Sequence, residues 1–306
     1  MTFPIEIESL AKTYRGKKRM QVEALRELSL NINQGEVFGF LGPNGAGKST
    51  TIKILMGLIS ATAGSARLFG TEVRQAAARR NVGYLPENPA LYDFLTGREY
   101  LSFVGKAFAM TDGAIAERSG VVLEQLQLTD AANRPVRSYS KGMVQRLGLA
   151  QTLLHEPELY ILDEPMSGLD PIGRSLVKDI IRQLKRQGKT VFFSTHITAD
   201  VEAVCDRVGV IAKGKLQALD SVDNILRSGV EGYTVQINGG GDLAAHGYTQ
   251  LEEQGGMREF LVPKDQFNDF IAQVAVEDGK VELIETKRKD LEEFFLEIVK
   301  QGNVSA

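Results

Sequence analysis

GPNGAGKST, from Gly42 to Thr50, follows the apolar run Val37 to Leu41 and precedes a stripe at Ile52, Leu55 and Met56 that closes near Gly57. The segment satisfies GxxxxGK[ST], and strand, glycine loop, helix is the order in which that pattern makes a phosphate-binding loop. Gly42, Gly45 and Gly47 let the backbone close around phosphate oxygens, with N–H groups from Asn44, Ala46 and Thr50 in the same wrap. The helix N-terminus adds partial positive charge, Lys48 reaches the β and γ phosphates, and Ser49 supplies a hydroxyl to Mg²⁺.

Downstream, Leu159 to Leu162 delivers Asp163 and Glu164 at the end of what reads as a buried strand. Two adjacent acids there are costly to desolvate unless they have chemical work to do. Beside a phosphate loop, one acid binds the Mg²⁺ shell and a second positions or deprotonates an attacking water. Asp163 is assigned the first role and Glu164 the second.

Short apolar runs at Val37 to Leu41, Leu159 to Leu162, Val191 to Phe193 and Val208 to Ala212 predict a mostly parallel sheet buried on both faces. Ile5 and Ile7 alternate with acids, and Leu28, Leu30 and Ile32 with Ser29 and Asn31, which predicts an antiparallel edge sheet. Leu91 to Leu154 reads as helical with little strand character, a helical subdomain of about 88–155 inserted into the α/β core. The pattern changes after Arg227, so domains are expected at 1–228 and 229–306. The second is a small α+β domain. Tyr233, Val235 and Ile237 alternate ahead of a Gly239 to Gly241 turn, and Arg258 to Val262 and Lys280 to Ile284 read as strands. Phe267, Phe270, Ile271 and Val274 have helical spacing behind Pro263. Leu291, Phe294, Phe295 and Ile298 repeat that spacing behind Asp290, which with Glu293 is spaced as a capping box.

Composition narrows the class. The chain has 306 residues, 43% hydrophobic and 25% charged, as expected for a globular protein of two domains and not for a disordered one. No stretch is apolar for the roughly 20 residues that a bilayer span requires. MTFPIEIESLAKTYRG lacks a basic patch followed by an apolar run, which reads as mature sequence and points to the cytoplasm. The single cysteine, Cys205, forms no internal disulfide and sits at apolar spacing with Val201 and Val204, as a packed thiol would. Glu231 to Ala306 holds 15 acidic and 7 basic residues, net −8, leaving the longer N-terminal part at net +5. So small an excess is no nucleic-acid footprint, and no nucleic-acid partner is expected.

Taken in order, the motifs resemble those of the ATP-binding-cassette family of ATPases, over roughly residues 3 to 225. YSKGMVQR at Tyr139 to Arg146 resembles that family's signature, and ILDEPMSGLDP runs from the two acids into its D-loop, with Asp170 in the usual place. FFSTH supplies the switch histidine, His196, and Tyr14 in AKTYRG matches the aromatic that stacks on adenine. His155 and His246 match no motif and are read as structural. The resemblance implies a homodimer that binds two ATP with Mg²⁺. Each ATP is held between one subunit's phosphate loop and the other's signature, where Ser140 and Gly142 contact the γ-phosphate. Three positions depart from the family pattern. Glu87, in GYLPENP, stands where Gln is usual and could still reach Mg²⁺ through water, while Lys141 and Met143 replace Gly and Gln in the signature. With the extra C-terminal domain, these variants resemble ATPase subunits of ABC-2 type exporters.

The resemblance therefore implies an ATP-hydrolysing subunit that powers a separate integral membrane permease and sits peripherally on the inner face of the membrane through it. Leu91, Tyr92, Phe94 and Leu95 are more apolar residues than a solvated loop should carry. About half suffices for the core of the helical lobe, and the rest is suited to line a groove for a partner helix. An importer ATPase is the alternative within the family. A soluble mechanical ATPase of ribosomes or chromosomes is disfavoured by the single cassette and the short gap between Lys48 and Ser140, and a small-molecule kinase has no use for the signature.

Overall fold

The computed structural model describes residues 2–15, 21–288 and 290–304. The N-terminal alternation becomes β1 (Ile5–Arg15), in which Ile5, Ile7 and Leu10 are buried while Glu8 and Ser9 are exposed. It pairs antiparallel with β2 (Gln21–Ile32) in the register Ile5 to Ile32 and Ile7 to Leu30, so the apolar residues of both strands share one face. β3 (Val37–Leu41), buried at every residue, leads to α1 (Lys48–Leu55), which ends where Gly57 turns left-handed at φ 64°. β4 (Ala63–Leu68) and β5 (Thr71–Glu72) complete an antiparallel sheet ordered β2-β1-β4-β5.

β6 (Val82–Leu85) joins a second sheet before the chain leaves it for the helical lobe of α2 (Gly97–Ala107), α3 (Asp112–Gln125) and α4 (Lys141–Leu154). The chain returns through β7 (Leu159–Asp163), α5 (Pro171–Arg186), β8 (Thr190–Thr195), α6 (Thr198–Val204), β9 (Arg207–Ala212) and β10 (Lys215–Ser221). This sheet is ordered β10-β9-β3-β8-β7-β6, with parallel pairing from β9 through β6. Lys213 and Gly214, both left-handed, form the two-residue turn that folds β10 back on β9. Side chains alternate between the sheet's two faces. Phe38, Phe40 and Phe192 pack on the side of β1 and β2, and Val37, Val191 and Phe193 on the side of the helical lobe. The expected architecture is thus present: a mostly parallel core, an antiparallel edge sheet and an inserted helical lobe.

Two compact units are separated between Asp220 and Ser221. The second, Ser221–Gln301, contains α7 (Val222–Ser228), β11 (Val230–Asn238), β12 (Thr249–Gln254), β13 (Met257–Pro263), α8 (Phe267–Val276), β14 (Lys280–Arg288) and all but the last residues of α9 (Leu291–Val304). Its antiparallel sheet, ordered β12-β13-β11-β14, buries Val235, Ile237, Phe260 and Val262 against Phe270 and Val274 of α8. The Asp290 carboxylate accepts the Glu293 N–H at 2.8 Å, the cap implied by their spacing. β12, with one apolar residue in TQLEEQ, carries no readable alternation.

The three residues read as structural have structural surroundings. The Cys205 thiol packs toward Gly39 and Val201, and burial pushes its pKa well up, away from nucleophilic use. His155 stacks on Phe108 with ring centroids 3.7 Å apart, and burial lowers its pKa. The His246 ring meets Gln273 at 3.3 Å and Glu277 at 3.5 Å.

Candidate functional site

Parallel strands bring their C-terminal ends to one edge, where α/β sheets hold ligands. β8 lies between β3 and β7, so three ends converge: β3 feeds the glycine loop, β7 ends in Asp163, and β8 ends in Ser194 and Thr195 just before His196. The loop is pinned by its neighbours. Gly42 N–H donates to Thr195 O at 3.2 Å, and Gly47, at φ 115°, lies so close to β2 that a Cβ would sit 2.7 Å from Ala24 O. Only glycine meets both demands at position 47.

A cavity of about 310 Å³ opens over the loop, lined by Ala24, Pro43 to Thr50, Glu87 and Glu164. Inside it, Lys48 Nζ donates to Gly42 O at 2.7 Å and to Pro43 O at 3.3 Å, and lies 3.5 Å from Glu164 Oε1. The cation is turned back onto the loop's own carbonyls. Both charged groups are buried, where an unpaired charge is costly. Ser49 Oγ donates to Asp163 Oδ1 at 3.3 Å, and Ser194 Oγ donates to the same oxygen at 2.5 Å. His196 Nδ1 is 3.1 Å from both carboxylate oxygens of Glu164. On the neighbouring strand β6, burial first and the Asp163 charge second push the Tyr84 phenol up to about 12.

Lys48, Ser49, Asp163, Glu164, Glu87 and His196 are therefore one constellation, together with Asn44, Gly45, Ala46, Gly47 and Thr50 of the loop. Its hard oxygen donors, the Ser49 hydroxyl and the carboxylates, suit Mg²⁺, which favours one or two carboxylates plus substrate phosphates. The other expected site residues do not line this cavity. Tyr14 is partly exposed, with the Lys12 ammonium 5.1 Å above its ring. Ser140 caps α4 by accepting the Met143 N–H at 3.3 Å, and Gly142 lies in that helix's first turn. Asp170 caps α5 through Gly173 N–H at 2.8 Å. Within one chain, then, Ser140 and Gly142 of the signature are not among the residues that line the cavity over the phosphate loop.

Three neighbours of the site had not been read from sequence. Ala24 reaches the loop only through sheet packing. Gln145, 4% exposed, donates to Glu164 O at 3.4 Å and Pro165 O at 3.3 Å. Ser194 touches both acids. The available signals were a lone amide on the buried face of α4 and a pair of hydroxyl residues, Ser194 and Thr195, behind the apolar run Val191 to Phe193.

Of the apolar residues behind Glu87, Leu91 and Leu95 pack against the lobe core, whereas Tyr92 and Phe94 are 49% and 67% exposed. The Tyr92 ring also meets the half-exposed Phe103, with centroids 5.2 Å apart.

Glu87→Gln is expected to leave basal hydrolysis within about tenfold, a loss below the usual range for a general base. Steady-state phosphate release checks this, and complete loss of turnover would make Glu87 part of the chemistry.

Comparison with known proteins gives one family. The family model described as ABC transporter matches residues 25–167. An ABC transporter ATP-binding protein of Synechocystis sp. is 45% identical over 80% of this chain and 70% of its own length. Another, of Nostoc sp., is 39% identical over 97% of this chain and 90% of its own. Among solved structures, the ATP-binding cassette MJ0796, a dimer in a post-hydrolysis state with ADP and Pi, superimposes with a TM-score of 0.66 at 24% identity, covering 71% of this chain and 98% of that one.

Proposed function

This chain belongs to the ABC transporter family as an ATP-binding, ATP-hydrolysing subunit, and on that premise we propose that it powers export through a separate membrane-spanning subunit by closing and opening an ATP-bridged homodimer. The observation that carries the reading is the meeting of Lys48, Ser49, Asp163, Glu164 and His196 around one loop, in a cavity that Ser140 and Gly142 of the same chain do not line. Such a site leaves the reacting phosphoryl open on one side, and a second copy's signature covers it.

In this reading Lys48 leaves the carbonyls of Gly42 and Pro43 for the β and γ phosphates, which the loop N–H groups enclose. Glu164 orients the attacking water and takes its proton as the new P–O bond forms and the β–γ bridging P–O bond breaks, with ADP leaving. His196 holds Glu164 and contacts the γ-phosphate. Ser49 and Asp163 would hold Mg²⁺, with Glu87 within reach of it through water, and the bound ion would supply positive charge at the β and γ phosphates. From the partner copy, Ser140 still has its hydroxyl proton to donate, because its cap to Met143 uses a lone pair. Gly142 adds a helix N-terminal N–H, Asp170 closes the seam, and Tyr14 stacks on adenine.

Among the described residues no helix is long and apolar enough to cross a membrane, and in this reading a second subunit supplies the span. We place the chain on the inner face of the membrane, held by that permease. The exposed Tyr92, Phe94 and Phe103 are suited to receive a partner helix. Export is supported by the resemblance at Glu87, Lys141, Met143 and the C-terminal domain, assigned at 229–306, to ABC-2 type subunits.

Affinity purification of tagged Glu164→Gln chain from detergent-solubilised cells with ATP and Mg²⁺, followed by mass spectrometry, tests the reading. A stoichiometric multi-span membrane protein is expected, and substituting Tyr92 and Phe94 by Ser should reduce its recovery. Recovery only with ribosomal or chromosomal proteins would replace the transporter reading with that of a soluble mechanical ATPase.

A further inference from the structure

Ser194 is fully buried at the end of β8, with Phe40 of β3 as its register partner on one side and Asp163 of β7 on the other. A serine hydroxyl has one proton and two lone pairs. The proton goes to Asp163 Oδ1 at 2.5 Å, and a lone pair accepts the Glu164 N–H at 3.1 Å. That N–H also reaches the carbonyl of Ser194 at 3.2 Å. One side chain therefore touches both members of the acid pair.

Glu164 needs such a hold. Its φ of 49° is left-handed, unfavourable for a residue with a Cβ, and such a backbone persists where its surroundings over-determine it. Ser194 grips the Glu164 peptide from its N–H side, while Gln145 grips it from the carbonyl side through Glu164 O and Pro165 O. Asp163 is equally dependent. It is 2% exposed, and without Ser194 the hydroxyl contact left to Oδ1 is the longer one from Ser49 at 3.3 Å.

We propose that Ser194 is a positioning residue for ATP hydrolysis: its hydroxyl ties the Asp163 carboxylate to the left-handed backbone of Glu164, so that two adjacent acids with different tasks keep a fixed relative orientation. The proposal rests on the roles assigned above to Asp163 and Glu164. Ser194 transfers no proton in the reaction and acts only through these two neighbours.

The test uses Ser194→Ala and the near-isosteric Ser194→Cys in the full chain, measuring kcat and KM for ATP separately, binding of a fluorescent ATP analogue as Mg²⁺ is titrated, and thermal unfolding. A misplaced reacting group is expected to lower kcat of Ser194→Ala about ten- to a hundredfold while KM changes less than about threefold. The Mg²⁺ concentration that supports half-maximal analogue binding should rise. In a Glu164→Gln background, Ser194→Ala should add less than about twofold, because residues serving one step are not additive. Wild-type kcat in a folded Ser194→Ala or Ser194→Cys chain, or full additivity with Glu164→Gln, would overturn the proposal. The two readings fail separately. Unimpaired turnover by Glu164→Gln alone removes the assignment of Glu164, whereas lost turnover in Glu164→Gln with normal turnover in Ser194→Ala removes only the positioning role.

Discussion

Glu164→Gln is expected to keep ATP binding, slow hydrolysis by at least about a hundredfold and accumulate as an ATP-bound dimer, the slowing set by the lower end of general-base effects. The amide preserves the shape of the carboxylate beside His196 Nδ1 but has no basic oxygen for a water proton. It also removes a negative charge that lies 3.5 Å from Lys48 Nζ inside the cavity that ATP must enter. Loss of that charge frees Lys48 for phosphate and reduces repulsion of the γ-phosphate, so affinity should hold or rise. Phosphate release under saturating ATP measures the first effect. Light scattering after size-exclusion chromatography with ATP and Mg²⁺ measures the dimer, and a chain that stays monomeric there would overturn the ATP-bridged arrangement.

Lys48→Ala is expected to abolish measurable turnover and to weaken ATP binding by about a hundredfold or more, which is the 2–5 kcal/mol typical of truncating one partner of a buried, hydrogen-bonded charge pair. The ammonium bonds Gly42 O and Pro43 O and lies 3.5 Å from the Glu164 carboxylate. Its truncation therefore also strips the buried Glu164 carboxylate of a nearby cation, leaving excess negative charge where the triphosphate should dock. Isothermal titration with ATP checks the affinity, and circular dichroism checks that the loop variant folds. Full ATPase activity in a folded Lys48→Ala chain would remove the cavity as the hydrolytic site.

Much of the site is legible because phosphate recognition by a loop is local chemistry. Gly42 to Thr50 carries its glycines, cation and hydroxyl within one short segment, and the strand before it and helix after it are set by their own apolar patterns. Asp163 and Glu164 announce themselves as charges ending an apolar run, and the structure places both within reach of the loop through Ser49 and Lys48. Weakly patterned strands were harder to read. β4, of sequence AGSARL, offers little alternation, and β6 is only four residues long, so their existence depends on the partners that await them in the two sheets.

The amino-acid order by itself determined the fold class, the family resemblance and the identity of the phosphate loop, because periodicity and short motifs encode them within a few residues of one another. The tertiary structure alone decided that β8 runs between β3 and β7, and this places Ser194 on both acids and His196 on Glu164. It also decided that Lys48 folds back on its own loop, that Ser140 and Asp170 spend lone pairs as helix caps, and that Leu91 and Leu95 are partly buried against the lobe core while Tyr92 and Phe94 are exposed. These outcomes depend on which distant segments become neighbours, and strand order is a property of the whole packed sheet.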